Sequence, residues 1–228
     1  MTIYDWITRF DSWRGEPAVW LLLATAVFTL LIPDARLAIL GLVAQYFSLA
    51  LLYLDIMDPR LAAIKLLVGW FVCLILALTG SQVRWGRLPP DVLPGEARNL
   101  TPPKTMQVRG RKMSITAVRA LSALALLVFL WLLTLPEGTL LPLPEALAHL
   151  DLAIMGLIAF GLLGLTYTAE PLRAGIGVLM FLAGCELFYS TLEPTIASLL
   201  LLAAVNLLAA LIVAFLTQKR YAAAAVLR

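Results

Sequence analysis

The sequence predicts an all-α integral membrane protein of about seven transmembrane helices, preceded by an N-terminal interfacial amphipathic helix. Hydrophobic residues make up 62% of the 228-residue chain and charged residues 14%, whereas a soluble domain is about half apolar and a quarter charged. Mean hydropathy is +0.94. Apolar runs recur along the chain at the length of about 20 residues that a bilayer core requires. About seven such spans consume roughly 140 residues, which leaves no room for a separate soluble catalytic domain. The formal charge of +3 bears on orientation in the membrane and not on nucleic acid, because loop lysines and arginines set topology.

Residues 1–17 come first. Ile3, Trp6, Ile7, Phe10 and Trp13 fall on one helical face, with Asp5, Arg9, Asp11 and Arg14 among them. Such a helix is expected to lie in the interface or to dock on a neighbouring subunit. The stretch lacks the basic and apolar regions of a signal peptide. A three-helix N-terminal membrane unit is expected over 18–80, with spans at 18–33, 36–54 and 61–80 broken at Pro33-Asp34 and at Asp55–Arg60. Residues 81–113 carry five prolines and mixed charges and are expected to be an extended, basic cytoplasmic loop. The fourth span is 114–135, stopped by Pro136, and 136–148 form a Pro-rich outer connection. A second three-helix unit covers 149–221, with spans at 149–168, 171–190 and 194–217, followed by the tail 222–228.

Charge places the ends of these spans. The long loop carries Arg84, Arg87, Arg98, Lys104, Arg109, Arg111 and Lys112, and the C-terminal segment carries Lys219, Arg220 and Arg228. With both on the cytoplasmic side, Arg36 and Arg173 also fall inside, and every connection obeys the positive-inside rule. The expectation is a multi-pass protein of the cell (inner) membrane with its N-terminus outside and its C-terminus cytoplasmic.

Chemistry is limited by composition. Cys73 and Cys185 lie in apolar runs, as buried thiols do. Two cysteines and the lone His149 supply no ligand set for zinc, an iron–sulfur centre or a bis-histidine haem. No cofactor, metal site or catalytic residue is therefore expected.

Polar residues at membrane depth are the informative ones, since a charge at the bilayer centre costs about 2.5–3.5 kcal/mol on insertion scales. The candidates are Lys65 in span three, Glu186 in span six, and the uncharged Gln45 and Asn206. Counted from the expected span ends, Lys65 and Glu186 sit equally deep, about 6 Å from the outer surface. They read first as near-interface charges or one structural ion pair, and second as groups of a proton or cation pathway. Gln45 and Asn206 read first as interhelical hydrogen-bonding groups, and second as part of a hydrated channel. Arg119, one turn into span four, is placed to snorkel inward. Spans five to seven carry Gly156, Gly161, Gly164, Gly175, Gly177, Gly184 and the small face Ala203, Asn206, Ala210, and are expected to pack closely.

The segment from Met155 to Tyr221 resembles the chain 4L subunit of respiratory NADH:quinone oxidoreductase and the small C subunit of Mrp-type sodium/proton antiporters. The resemblance is carried by the glycines at 156, 161 and 164, the Pro171-Leu172-Arg173 turn, Gly175-Ile176-Gly177 and Gln218-Lys219-Arg220. Over nearly the full length after residue 17 the chain is similar to hydrogenase-4 component E, through Arg36-Leu37, Gly41 and Gln45 followed by Lys65-Leu66-Leu67. The resemblance implies a non-catalytic membrane subunit of a respiratory, hydrogenase-4-like or Mrp-like complex, in contact with membrane lipid and packed against large antiporter-like subunits. Chain 4L subunits carry a buried glutamate in each of their last two helices. The matching positions here are Leu179 and Asn206, neither of them acidic. Glu186 lies two turns beyond Leu179 on the same face and about 10 Å nearer the outside. This departure favours complex membership over active pumping. The alternatives are a translocating subunit that uses Glu186 and Lys65, and a stand-alone small transporter.

Overall fold

The computed structural model describes residues 13–83, 105–108, 111–134, 141, 143–144, 147–168 and 170–226, and the side chains among them except those of 105–115, 134 and 222–226. The amphipathic helix expected over residues 1–17 therefore lies outside the described residues up to residue 12. Seven α-helices are present among the described residues: α1 Glu16–Leu31, α2 Ala35–Ile56, α3 Pro59–Gln82, α4 Ile115–Thr134, α5 His149–Thr166, α6 Pro171–Leu192 and α7 Ile196–Val226. Six are long and apolar enough to cross a membrane, and α1 is a shorter apolar helix. The chain is thus an all-α, multi-pass membrane protein.

The helix ends follow from local chemistry. Pro17, Pro59 and Pro171 occupy the first turns of α1, α3 and α6, where a missing N–H costs nothing. Asp34 caps α2, its carboxylate accepting from the Arg36 N–H at 3.1 Å. Consequently α3 begins at Pro59 rather than at residue 61; α6 begins at Pro171 as expected and runs to Leu192 rather than 190. The seventh helix continues through Gln218-Lys219-Arg220 into an alanine-rich run, since strong helix formers carry it past the interface. The 81–113 segment, expected to be extended throughout, contains an antiparallel hairpin of β1 Thr105–Val108 and β2 Arg111–Ser114 that leads directly into α4.

The first three helices form one layer and the last three another. Within each layer neighbours in sequence pack together, and across the layers α1 packs on α5, α2 on α6 and α3 on α7. Helix α4 flanks the α1–α5 edge and leaves Leu121, Leu124, Phe129 and Leu132 exposed, as a lipid-facing helix does. The core runs between the layers through Leu22, Leu52, Leu76, Phe160 and Leu179. The closest seam is α5–α6. A Cβ added at Gly161 would come within 2.5 Å of the Phe181 amide nitrogen and 2.8 Å of the Gly177 carbonyl oxygen, so these two backbones meet directly. Small residues allow such an approach between membrane helices.

Candidate functional site

The four polar candidates all lie in the part of the bundle formed by α2, α3, α6 and α7, and three of them meet. Helix α3 starts two residues earlier than its apolar run suggests, so Lys65 stands six residues into it, about 9 Å along the axis. Glu186 stands six residues before the end of α6 at the same level. Their side chains are 5% and 3% exposed and form an ion pair, Lys65 Nζ to Glu186 Oε1. Of the readings open for Lys65, the structure has the ion pair: its ammonium turns inward to the carboxylate of the facing layer. Asn206 of α7 donates from Nδ2 to the other carboxylate oxygen, Glu186 Oε2, at 2.8 Å. Each oxygen of Glu186 thus has its own partner, one charged and one neutral, from two different helices.

Aromatic groups of α2 complete the surroundings. The Lys65 ammonium lies 5.7 Å from the centre of the Tyr53 ring, within reach of a cation–π attraction. Tyr46, Tyr53, Lys65, Gly69, Glu186 and Asn206 line one small cavity. The space open to the centre of a water molecule is about 10 Å³, enough for about one water. Gly69 leaves room for the Tyr46 ring, which a Cβ at that position would overlap. The hydroxyls of Tyr46 and Tyr53 have no hydrogen-bond partner among the described residues.

Gln45 is the candidate that the structure does not join to the others. It is buried at 2% exposure, yet neither its amide nitrogen nor its oxygen has a partner among the described residues. The expected interhelical hydrogen bond is absent there among the described residues. The small face of α7 is buried as expected, with Ala203, Asn206 and Ala210 all turned inward.

A second polar cluster, not singled out from the sequence, joins three chain segments at the opposite end from Lys219 and Arg220. Asp55, near the end of α2, accepts from Arg14 Nε at 3.1 Å and lies 3.3 Å from His149 Nε2 at the start of α5. Arg14 also donates to the Leu54 carbonyl at 2.8 Å. Charges at span ends read as ordinary interfacial groups in a sequence, and only the layer packing brings residues 14, 55 and 149 together. Among the described residues no three His, Cys, Asp or Glu side chains gather in a way that would hold a metal ion.

No protein-family model matches the chain, and no curated protein or solved structure is significantly similar to it.

Proposed function

We propose that this chain is a non-catalytic membrane subunit of a respiratory, hydrogenase-4-like or Mrp-like complex, packed against antiporter-like subunits, in which Lys65, Glu186 and Asn206 act as a polar staple between the helix layers. The observation that carries the reading is the sealed Lys65–Glu186 pair with its Asn206 clamp. Asn206 occupies the position that the chain 4L resemblance gives to an acid, and its amide is bonded to the displaced acid Glu186. An amide there holds a carboxylate in place but exchanges no proton. Each carboxylate oxygen is held by one fixed partner, and the adjoining cavity has room for about one water. These features suit a positioned charge pair better than a hydrated conduit.

A second reading, proton or cation translocation through Glu186 and Lys65, draws support from the two unpartnered tyrosine hydroxyls that border the pair on the same cavity. One pair of measurements separates the two. The tagged full-length chain is extracted from its native membrane in mild detergent, with and without Glu186→Gln. Co-purification of large multi-spanning antiporter-like proteins is the expected result, and recovery of this chain by itself would overturn the subunit reading. Ion transport by the assembled Glu186→Gln complex is expected to persist. Its loss with subunit abundance unchanged would establish the translocating role instead.

A further inference from the structure

We propose that the end of the bundle bearing Arg119 and Arg173 binds the phosphate group of an anionic phospholipid, held between the two guanidinium groups. Arg119 is the fifth residue of α4 and Arg173 the third of α6. Although 54 positions separate them in sequence, both line one cavity, together with Thr29, Tyr167 and Thr168. The space open to water centres there is about 30 Å³, enough for about two waters and so for the two non-bridging oxygens of one phosphodiester.

Both arginines are anchored but not exhausted. Arg119 Nη2 donates to the Tyr167 carbonyl at 3.0 Å, and its guanidinium carbon lies 5.8 Å from the centre of the Tyr167 ring. Arg119 Nε is buried and has no hydrogen-bond partner among the described residues. Arg173 donates to the Ile32 carbonyl at the end of α1. Its nearest ion-pair partner, Glu170, stands 3.9 Å from Nε, beyond hydrogen-bond range. A guanidinium offers five N–H donors, so each keeps donors beyond the one spent on a helix end. Capping two carbonyls requires two arginines but gives no reason to aim both at a shared cavity, where like charges repel. A shared anion removes that repulsion, and the arginine fork matches phosphate oxygens.

The rest of the cavity indicates where the anion comes from. Its wall below the arginines is apolar, with Leu30, Ile176 and Met180. On α4, Leu121 and Leu124 are exposed just beyond Arg119. Arg119 is about 6 Å along its helix, at the depth of headgroups. A ligand with its phosphate at the arginines and its acyl chains along the apolar face of α4 satisfies both halves of the site, and basic pockets between helices recognise headgroups in this way.

The test uses the full-length chain in nanodiscs of phosphatidylcholine alone or mixed with phosphatidylglycerol, and reads retained lipid by native mass spectrometry. Phosphatidylglycerol is expected to be retained about tenfold over phosphatidylcholine, because both lipids offer a phosphate but the cationic choline of the latter is repelled by the paired guanidinium groups. Arg119→Gln and Arg173→Gln should each abolish most of that preference, while Arg119→Lys should keep part of it. Tryptophan-detected unfolding in phosphatidylcholine verifies that the variants fold. If one does not, the comparison of the two lipids in the unsubstituted chain decides alone. Equal retention of the two lipids, or a preference unchanged in folded glutamine variants, would overturn the proposal. Inorganic phosphate that stabilises the chain in phosphatidylcholine as well as phosphatidylglycerol does would overturn the lipid assignment in favour of a soluble anion.

Discussion

Lys65→Met removes one member of a buried pair and leaves Glu186 with the Asn206 amide as its only bonded partner. Breaking such a pair costs about 3–5 kcal/mol, because the remaining charge stays desolvated. By contrast, Asn206→Leu removes one hydrogen bond while the charges stay paired, a loss of about 0.6–2 kcal/mol in a membrane interior. Removing both charges in Lys65→Met with Glu186→Leu eliminates the desolvation penalty along with the attraction, and such replacements run from neutral to stabilising. The double variant is therefore expected to be more stable than either single one. For a chain of this size 1 kcal/mol moves the thermal midpoint by about 2–4 °C. Lys65→Met should then unfold roughly 6–20 °C early, with Asn206→Leu nearer the original chain and the double variant restored to within a few degrees of it. The assay is thermal unfolding of the full-length protein in one detergent, followed by tryptophan fluorescence. Single losses that simply add in the double variant would refute the coupling, and a silent Lys65→Met would refute the ion pair itself.

Three further outcomes are expected. Gly161→Ala should lower stability by about 1–3 kcal/mol as an overpacked contact, since its Cβ would press on the Phe181 amide; an unchanged unfolding midpoint would show that α5 and α6 are not in backbone contact. Asp55→Ala deprives Arg14 and His149 of a shared partner and should cost about 1–2 kcal/mol, a partly exposed pair being worth less than a buried one; the thermal midpoint measures it, and a shift no larger than that of a surface control would discount the cluster. Single cysteines at Gly95 and Arg228, placed in a background lacking Cys73 and Cys185, should label only from the cytoplasmic side, as the basic loop and tail predict; labelling of either from outside alone would reverse the orientation.

Much of the fold was legible because bilayer physics writes it in composition. Apolar runs bounded by Asp34, Asp58-Pro59 and Glu170-Pro171 mark three of the breaks directly. The start of α3 shifted because Pro59, read as a breaker, serves inside the first turn. The hairpin at 105–114 was missed because five prolines dominate the loop around it. Of the site, Lys65 and Glu186 were visible as charges that a membrane penalises, and their equal depth was readable by counting. Their contact was not, because equal depth leaves the rotation and neighbours of each helix open, and apolar helices carry few marks of which faces meet. Gln45 shows the limit from the other side. It has the same polarity signature as Asn206, yet Asn206 bonds a carboxylate and the Gln45 amide has no hydrogen-bond partner among the described residues.

The contact inside the second layer and the polar link across the layers are made in different ways, and the difference bears on what the polar unit can do. Between α5 and α6 the backbones touch at Gly161 and Gly177, so separating these helices forfeits many dispersion contacts at once. Between α3 and α6 the connection passes through one ion pair beside a cavity that the tyrosines of α2 leave incompletely satisfied. Dispersion falls off within a fraction of an ångström, whereas a charge interaction in low dielectric changes gradually with distance. A small displacement of α3 against α6 would therefore cost less than the same displacement of α5 against α6. We expect the α2–α3 side of the bundle to be the compliant one, with Lys65 and Glu186 limiting its travel. Hydrogen exchange on the full chain tests this through the backbone amides around Lys65 and Tyr53. Their exchange should rise in Lys65→Met while that of the α5–α6 seam stays unchanged. A uniform rise in both seams would mean that the pair supports the bundle as a whole and marks no separate joint.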